Sequence, residues 1–402
     1  MTTPRRTTRE IRIGDVLIGG SQPVLLQSMC ATKTTDIEAT ANMATLLAEA
    51  GAGLVRIAVD TKRDAEALRE IAARTPARLS VDLHENHKLA ERVAPFVAKI
   101  RYNPGHLHHT AGSNQKTPGN TAPEVSWQDK VKRIADIAGE HGCALRIGVN
   151  CGSLDPAVAL VAPAVAPAVP AKTLHDDIDT MPLLVSTLEH ADFLDSLGFI
   201  DFCVSLKSSD PLMVIRANRE FARRRPDVPI HLGLTEAGMP PEAVLKSRAA
   251  LEPLLAEGIG DTLRVSLTVP NDRKSEEIEA GRQMLANVAA GDILTPDRLQ
   301  LPRLNIISCP SCARVENGAF VELAETIRAA TRFAADFAVN IAVMGCRVNG
   351  PGETDKADLG IWCGTNHANL KRGETLIGSF DYDEIVPRLL DELRRLIGDR
   401  ER

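Results

Sequence analysis

Eight short β-rich runs recur through roughly the first 270 residues. They lie at 23–29 (PVLLQSM), 54–59 (LVRIAV), 78–84 (RLSVDLH), 98–103 (AKIRYN), 144–150 (ALRIGVN), 202–207 (FCVSLK), 230–236 (IHLGLTE) and 262–268 (TLRVSLT). Between most of them apolar residues return every three or four positions, as in 36–51 and 61–74, with Gly or Pro near the ends. That is the period of an amphipathic helix. Strand and helix signals in alternation require a parallel sheet, and eight such units suit a closed (β/α)8 TIM barrel. An open doubly wound sheet is the competing topology. It wants a glycine-rich first turn, and the chain has no GxGxxG.

Two stretches break the rhythm, 106–126 after the fourth strand and 155–179 after the fifth. Both fall after C-terminal strand ends, where a barrel tolerates loop variation. The second contains the longest apolar run, 156–171, which is too short for a membrane span and carries four prolines. It reads as a semi-rigid extended insert. The first fifteen residues have no apolar core after their arginines, so they do not read as a secretory signal. A net charge of −6 argues against a general nucleic-acid binder. The expectation is a cytoplasmic protein bound to neither nucleic acid nor membrane.

Past about residue 295 the pattern changes. A linker is expected at 294–304, between a barrel at 1–293 and a small α+β domain at 305–402. Four strands and two helices, near 317–334 and 383–398, are expected in the second domain.

The barrel strands carry an unusual number of polar or charged residues near their C-terminal ends: Arg56, Asp82, His84, Arg101, Asn103, Arg146, Asn150, Ser205, Lys207, His231, Glu236, Arg264 and Ser266. Charge inside a strand is costly unless it is paired or faces a site. In a barrel these ends converge on the face where active sites are built. Five of these residues are cations: Arg56, Arg101, Arg146, Lys207 and Arg264. Together they point to a multiply charged anion, most simply a diphosphate. The plainer reading is that some of them pair structurally with Asp82 or Glu236. Glu236 is the best general acid or base, since cations alone do not move protons. His84 and His231 are weaker candidates.

Four of the eight cysteines lie in the last hundred residues: Cys309, Cys312, Cys346 and Cys363. The first pair forms a CxxC in NIISCPSCARVENG, and Cys346 lies in VMGCRVNGPGE, which ends at Glu353. A structural zinc site usually wants two such pairs, and the second is missing. A dithiol redox motif needs no third cysteine. A 4Fe–4S cluster takes four ligands, normally Cys. Spacing favours the cluster, then zinc. It leaves Cys363 and Glu353 as rival fourth ligands, the latter following a turn sequence, NGPG, that would fold it back toward Cys346. Cys143 and Cys203 read as core residues, while Cys30 and Cys151 lie near the mouth without a partner pattern. On residues alone, a barrel transferase acting on an anionic substrate, with a structural zinc domain, is the alternative.

SCPSCAR together with VMGCRVNGPGE resembles the signature of the 4-hydroxy-3-methylbut-2-enyl diphosphate synthases, of the methylerythritol phosphate route to isoprenoids. VLIGGSQPVLLQSM, AGAGLVRIAV, RYNPG, RIGVNCGSL, VSLKSSD, HLGLTEAG and EGIGDTLRVSLT are similar to that family's blocks, in the same order. The resemblance implies a TIM barrel followed by an iron–sulfur domain resembling sulfite and nitrite reductase modules. It implies a 4Fe–4S cluster on Cys309, Cys312, Cys346 and Glu353. It also implies reductive ring opening and dehydration of 2-C-methyl-D-erythritol 2,4-cyclodiphosphate, with Glu236 as proton donor and the strand-end residues around the diphosphate. Reduced flavodoxin or ferredoxin would supply electrons. The expected assembly is a homodimer in which one subunit's cluster domain covers its partner's barrel. Tyr102 and His106 stand where the family usually has Ile and Asn, and QSMCATKTTD departs from the usual form.

Overall fold

The computed structural model describes residues 5–84, 86–108, 125–154, 158, 180–346 and 350–401. A hairpin of β1 (Ile11–Ile13) and β2 (Val16–Ile18) opens the chain. Eight parallel strands follow: β3 (Leu25–Met29), β4 (Leu54–Ala58), β5 (Leu79–His84), β6 (Lys99–Tyr102), β7 (Ala144–Asn150), β8 (Phe202–Lys207), β9 (His231–Gly233) and β10 (Thr262–Arg264). They pair in chain order from β3 to β8, and β10 pairs with both β9 and β3. A bridge between Val204 and Ile230 joins β8 to the start of β9, so the barrel closes. The hairpin plugs its floor: Ile11, Ile13 and Ile18 pack on Leu54, Ala144 and Cys203 at the strand starts.

Helices alternate with the strands. They are α1 (Ile37–Glu49), α2 (Lys62–Arg74), α3 (Ala90–Val93), α4 (Pro104–His108), α5 (Trp127–Glu140), α6 (Met181–Ser196), α7 (Pro211–Arg224), α8 (Glu242–Ala256) and α9 (Glu276–Ala290). Their starts are encoded locally. Thr61 and Asp64 form a reciprocal capping box on α2, and Asp36 caps α1. One core runs between the helices and the strands, from Leu47, Leu68 and Ile71 to Ile134, Phe221 and Leu251.

Two strands are shorter than expected. β9 stops at Gly233 and β10 at Arg264, because the following amides are engaged elsewhere. Thr235 donates to the Ser208 carbonyl, Leu267 to the Glu277 carboxylate and Thr268 to the Gly238 carbonyl. The insertions at 106–126 and 155–179 fall mostly outside the described residues.

The second unit is a five-stranded sheet of β11 (Asn305–Ser308), β12 (Asn340–Met344), β13 (Leu359–Cys363), β14 (His367–Arg372) and β15 (Thr375–Asp381). The first three are parallel and the last two antiparallel. Helices α10 (Phe320–Ala330), α11 (Gly350–Lys356) and α12 (Ile385–Arg400) complete it. Phe320, Ile327, Ile341, Ile361, Leu389 and Leu393 share its core. Sequence reading missed β14, whose HANLKR shows little β signal, and α11. The NGPG segment read as a turn leads into a helix that carries Glu353 in its first turn.

The second unit sits on the mouth of its own chain's barrel. Ala237 bridges to Ser308, and the Thr268 hydroxyl lies 2.9 Å from the Cys309 carbonyl. Arg314 reaches Asp60 at 2.6 Å, and the Arg328 guanidinium donates to the Pro240 carbonyl at 2.6 Å. The family resemblance led to the expectation that a second copy would supply this cover.

Candidate active site

Parallel strands deliver their C-terminal ends to one face, and here two such faces meet. From the barrel come the polar ends of β4 to β8 and the segments after β9 and β10. From the small domain come the loops after β11, with Cys309 and Cys312, and after β12, with Cys346. Between them is a cavity of about 100 Å³. Arg56, Asp82, His84, Arg101, Arg146, Asn150, Ser205, Lys207, Glu236, Arg264 and Ser266 line it, together with the three cysteines. Almost the whole set expected from the strand ends is therefore brought together.

Three expected residues are elsewhere. Asn103 is spent on a turn: its amide donates to the Ser153 hydroxyl at 2.8 Å and its carbonyl oxygen accepts the Gly105 amide. His231 lies behind Lys207, with its ring nitrogens 3.2 Å from the Lys207 ammonium and 2.7 Å from the Thr262 hydroxyl. It touches the site only through Lys207. Glu353 lines a neighbouring groove beside Gly152 and Ser209. Its rival Cys363 is buried in the small domain's core.

Charge is badly unbalanced in the cavity. Six cations line it, the five expected ones and Arg314, against the carboxylates Asp82 and Glu236. Asp82 serves three guanidinium groups, Arg101 at 2.9 Å and Arg56 and Arg314 at 3.9 Å. Burial alone would raise its carboxyl; Arg101, Arg56 and Arg314 instead hold it well below the usual carboxylate range. Arg56 leans on the Met29 sulfur, 2.9 Å from its nearer nitrogen. Arg146 is 1% exposed, and two of its nitrogens have no hydrogen-bond partner. Burial, then Arg146 and the other arginines, pushes Lys207 well below its ordinary value. Arginine stays protonated in proteins, so its share of this repulsion is stored as demand for an anion.

Backbone strain marks the same place. Among the described residues the non-glycine residues with positive φ are His84 (48°), Glu236 (48°) and Ser311 (64°), and all three line this cavity. Such conformations cost about 1–3 kcal/mol each and cluster where a site over-determines them.

The thiols are neighbours. Burial, then Cys346 and Cys312, raises the Cys309 thiol well above its ordinary value, while the amides of Ser311 and Gly345 donate to its sulfur. The left-handed turn at Ser311 goes with this arrangement. Among the described residues no three His, Cys, Asp or Glu side chains meet closely enough to hold one metal ion.

The neighbouring groove is larger, about 800 Å³, and is lined by residues such as Met213, Met239, Leu299, Leu304 and Ile307. Size alone would select it. The charge imbalance, the strained backbone and the unpartnered guanidinium nitrogens all select the smaller cavity.

Two family models match this chain, the GcpE TIM-barrel domain over residues 8–282 and the GcpE protein C-terminal domain over residues 305–395. The chain belongs to the GcpE family. Among curated relatives, the protein of Rhodopirellula baltica is 53% identical over 401 residues, covering 100% of this chain and 99% of its own. That of Nautilia profundicola is 36% identical, covering 97% and 98%. Each is named 4-hydroxy-3-methylbut-2-en-1-yl diphosphate synthase (flavodoxin).

In this GcpE chain several site residues escaped the sequence reading. Arg314 stands two residues after Cys312, and Asp60 two after the end of β4, with nothing local to link them. Glycines mark close approaches to the residues that the sequence did single out. A Cβ at Gly233 would lie 2.5 Å from the Lys207 nitrogen, and one at Gly148 would collide with Arg101, which donates to the Gly148 carbonyl. A glycine inside a strand marks such close approach.

Proposed function

We propose that this chain is a 4-hydroxy-3-methylbut-2-en-1-yl diphosphate synthase. It opens the ring of 2-C-methyl-D-erythritol 2,4-cyclodiphosphate and removes water, using two electrons and two protons. The observation that carries the reading is one cavity in which a surplus of cations faces three cysteine thiols. The name shared by full-length relatives supports it.

Arg56, Arg101, Arg146, Lys207 and Arg264 would bind the diphosphate, with Asn150, Ser205 and Ser266 donating hydrogen bonds. The positive surplus also disfavours a neutral ligand. Glu236, nearly buried and turned into the cavity by its left-handed backbone, would give a proton to the departing oxygen. Asp82 holds Arg101 and Arg56 in place, and His231 positions Lys207.

The donor set fits an iron–sulfur cluster. Three soft sulfur donors line one wall, and two backbone amides already point at the Cys309 sulfur. Cys309, Cys312 and Cys346 would hold a 4Fe–4S cluster, and Glu353 is proposed as its fourth ligand. When bound, the cluster supplies electrons one at a time. Flavodoxin is the donor named for the relatives and ferredoxin the alternative; turnover with each separates them. No helix among the described residues is long and apolar enough to cross a membrane. Light scattering would detect the homodimer expected from the resemblance as a doubled mass.

Oxygen-free purification tests the reading. The expected product is brown, with about four irons per chain, and it turns over the cyclodiphosphate with reduced flavodoxin. A colourless protein with about one zinc and no iron overturns it. Cys363→Ala should keep its iron and Glu353→Ala should lose it; the reverse result would move the fourth ligand.

A further inference from the structure

Beneath the Cys309–Cys312 loop, on the barrel side, lies a charged group that the proposed chemistry does not use. Lys274 precedes α9 and Glu277 lies in its first turn. Both side chains are fully buried and 2.7 Å apart. The Lys274 ammonium also donates to the Leu267 carbonyl at 3.3 Å and to the Pro310 carbonyl at 2.5 Å. All three of its protons are thereby directed. Pro310 directly follows Cys309, inside the CxxC. Glu277 accepts from the Leu267 amide at 3.0 Å and the Ser28 hydroxyl at 2.7 Å, and pairs with Arg264 at 3.4 Å. A continuous buried chain, Arg264–Glu277–Lys274, thus runs from the cavity wall to the peptide of the cysteine loop.

Stability is a poor explanation for it. Replacing a buried ion pair by apolar side chains of similar volume is often neutral or stabilising. The chain does have one property that apolar residues lack: its charges sit at fixed positions next to Cys309, with Lys274 nearest the loop.

We infer that Lys274 and Glu277 are positioning residues that hold the Cys309–Cys312 loop over the barrel and set the electrostatic field felt by a redox centre bound to it. The inference rests on the iron–sulfur reading above. Each reduction takes one electron from the donor protein, which is oxidised by one electron, and adds one negative charge beside Cys309. The Lys274 cation stabilises that added charge and Glu277 opposes it. Net charge near such a centre is a recognised determinant of its potential.

A redox titration of the full-length, anaerobically purified protein, followed by visible absorbance, tests this with wild type, Lys274→Met and Glu277→Gln. Lys274→Met should make one-electron reduction about tenfold less favourable, a shift of about 59 mV to the negative side. Glu277→Gln should shift the potential to the positive side. A loop merely loosened by either change would move both variants the same way. Equal potentials, or shifts of one sign in both, overturn the inference. Should Lys274→Met fail to fold, an unchanged or more negative potential in Glu277→Gln overturns it alone. A wild type without iron–sulfur absorbance refutes the proposed function instead.

Discussion

Lys99 lies fully buried at the start of β6, donating to the Gln27 side chain at 3.0 Å. Burial, then Arg146 and Arg56, pulls its ammonium from 10.5 to about 7. A lysine lowered on folding leaves the unfolded chain holding more protons between pH 7 and 10.5. Stability therefore rises with pH across that window, and below it the cost of the buried charge is carried in full. Lys99→Met should raise the thermal midpoint most at or below pH 7, with the gain fading toward pH 10. A gain independent of pH would assign the effect to packing. At Arg146 the trade runs between stability and binding. Arg146→Met should raise the midpoint of the free protein, since it removes a buried charge whose nitrogens lack partners. It should also weaken pyrophosphate binding by about ten- to a hundredfold, about 1.5–3 kcal/mol, with iron content unchanged. Calorimetry and metal analysis check both parts.

Two elements from different domains meet tightly where α11 crosses the turn at Cys151–Ser153. A Cβ on Gly352 would lie 2.5 Å from the Gly152 carbonyl oxygen, a backbone atom that has no rotamer to give way. Gly352→Ala should therefore push the small domain off the barrel at a cost of about 1–3 kcal/mol. Limited proteolysis within 294–304, the expected linker, should then be faster, and an unchanged cleavage rate would mean that this contact does not hold the seam. At this scale the sequence was informative about the barrel and less so about its cover. The strands of the barrel announce themselves because both faces are buried, and the charges that interrupt them marked the site directly. β14 and α11 did not, because a half-polar strand and a helix beginning Gly-Pro-Gly lack the usual signals. Asn103 was misread for a related reason: a strand-end amide looks the same in sequence whether it caps a turn or meets a ligand. Arg314 and Lys274 act across the domain seam, where no periodicity connects the partners.

For the molecule as a whole, the charges of the mouth act against the fold until something neutralises them. Pyrophosphate, a simple stand-in, should raise the thermal midpoint in a concentration-dependent way, by RT ln(1 + [L]/Kd) in stability. The rise should shrink with added salt as screening grows. A midpoint indifferent to pyrophosphate would mean that the surplus is balanced within the chain. The 100 Å³ left under the cover is also small beside the roughly 300–1,000 Å³ of ordinary ligand pockets. The seam around it is closed by side-chain bonds such as Arg314 to Asp60 and Thr268 to Cys309, the polar kind found where domains move. A site so small makes its own traffic problem. Each cyclodiphosphate must arrive, and each product depart, through a joint that has to part and re-form once per cycle. The opening of that joint then joins the delivery of electrons as a step that can set the pace of the enzyme.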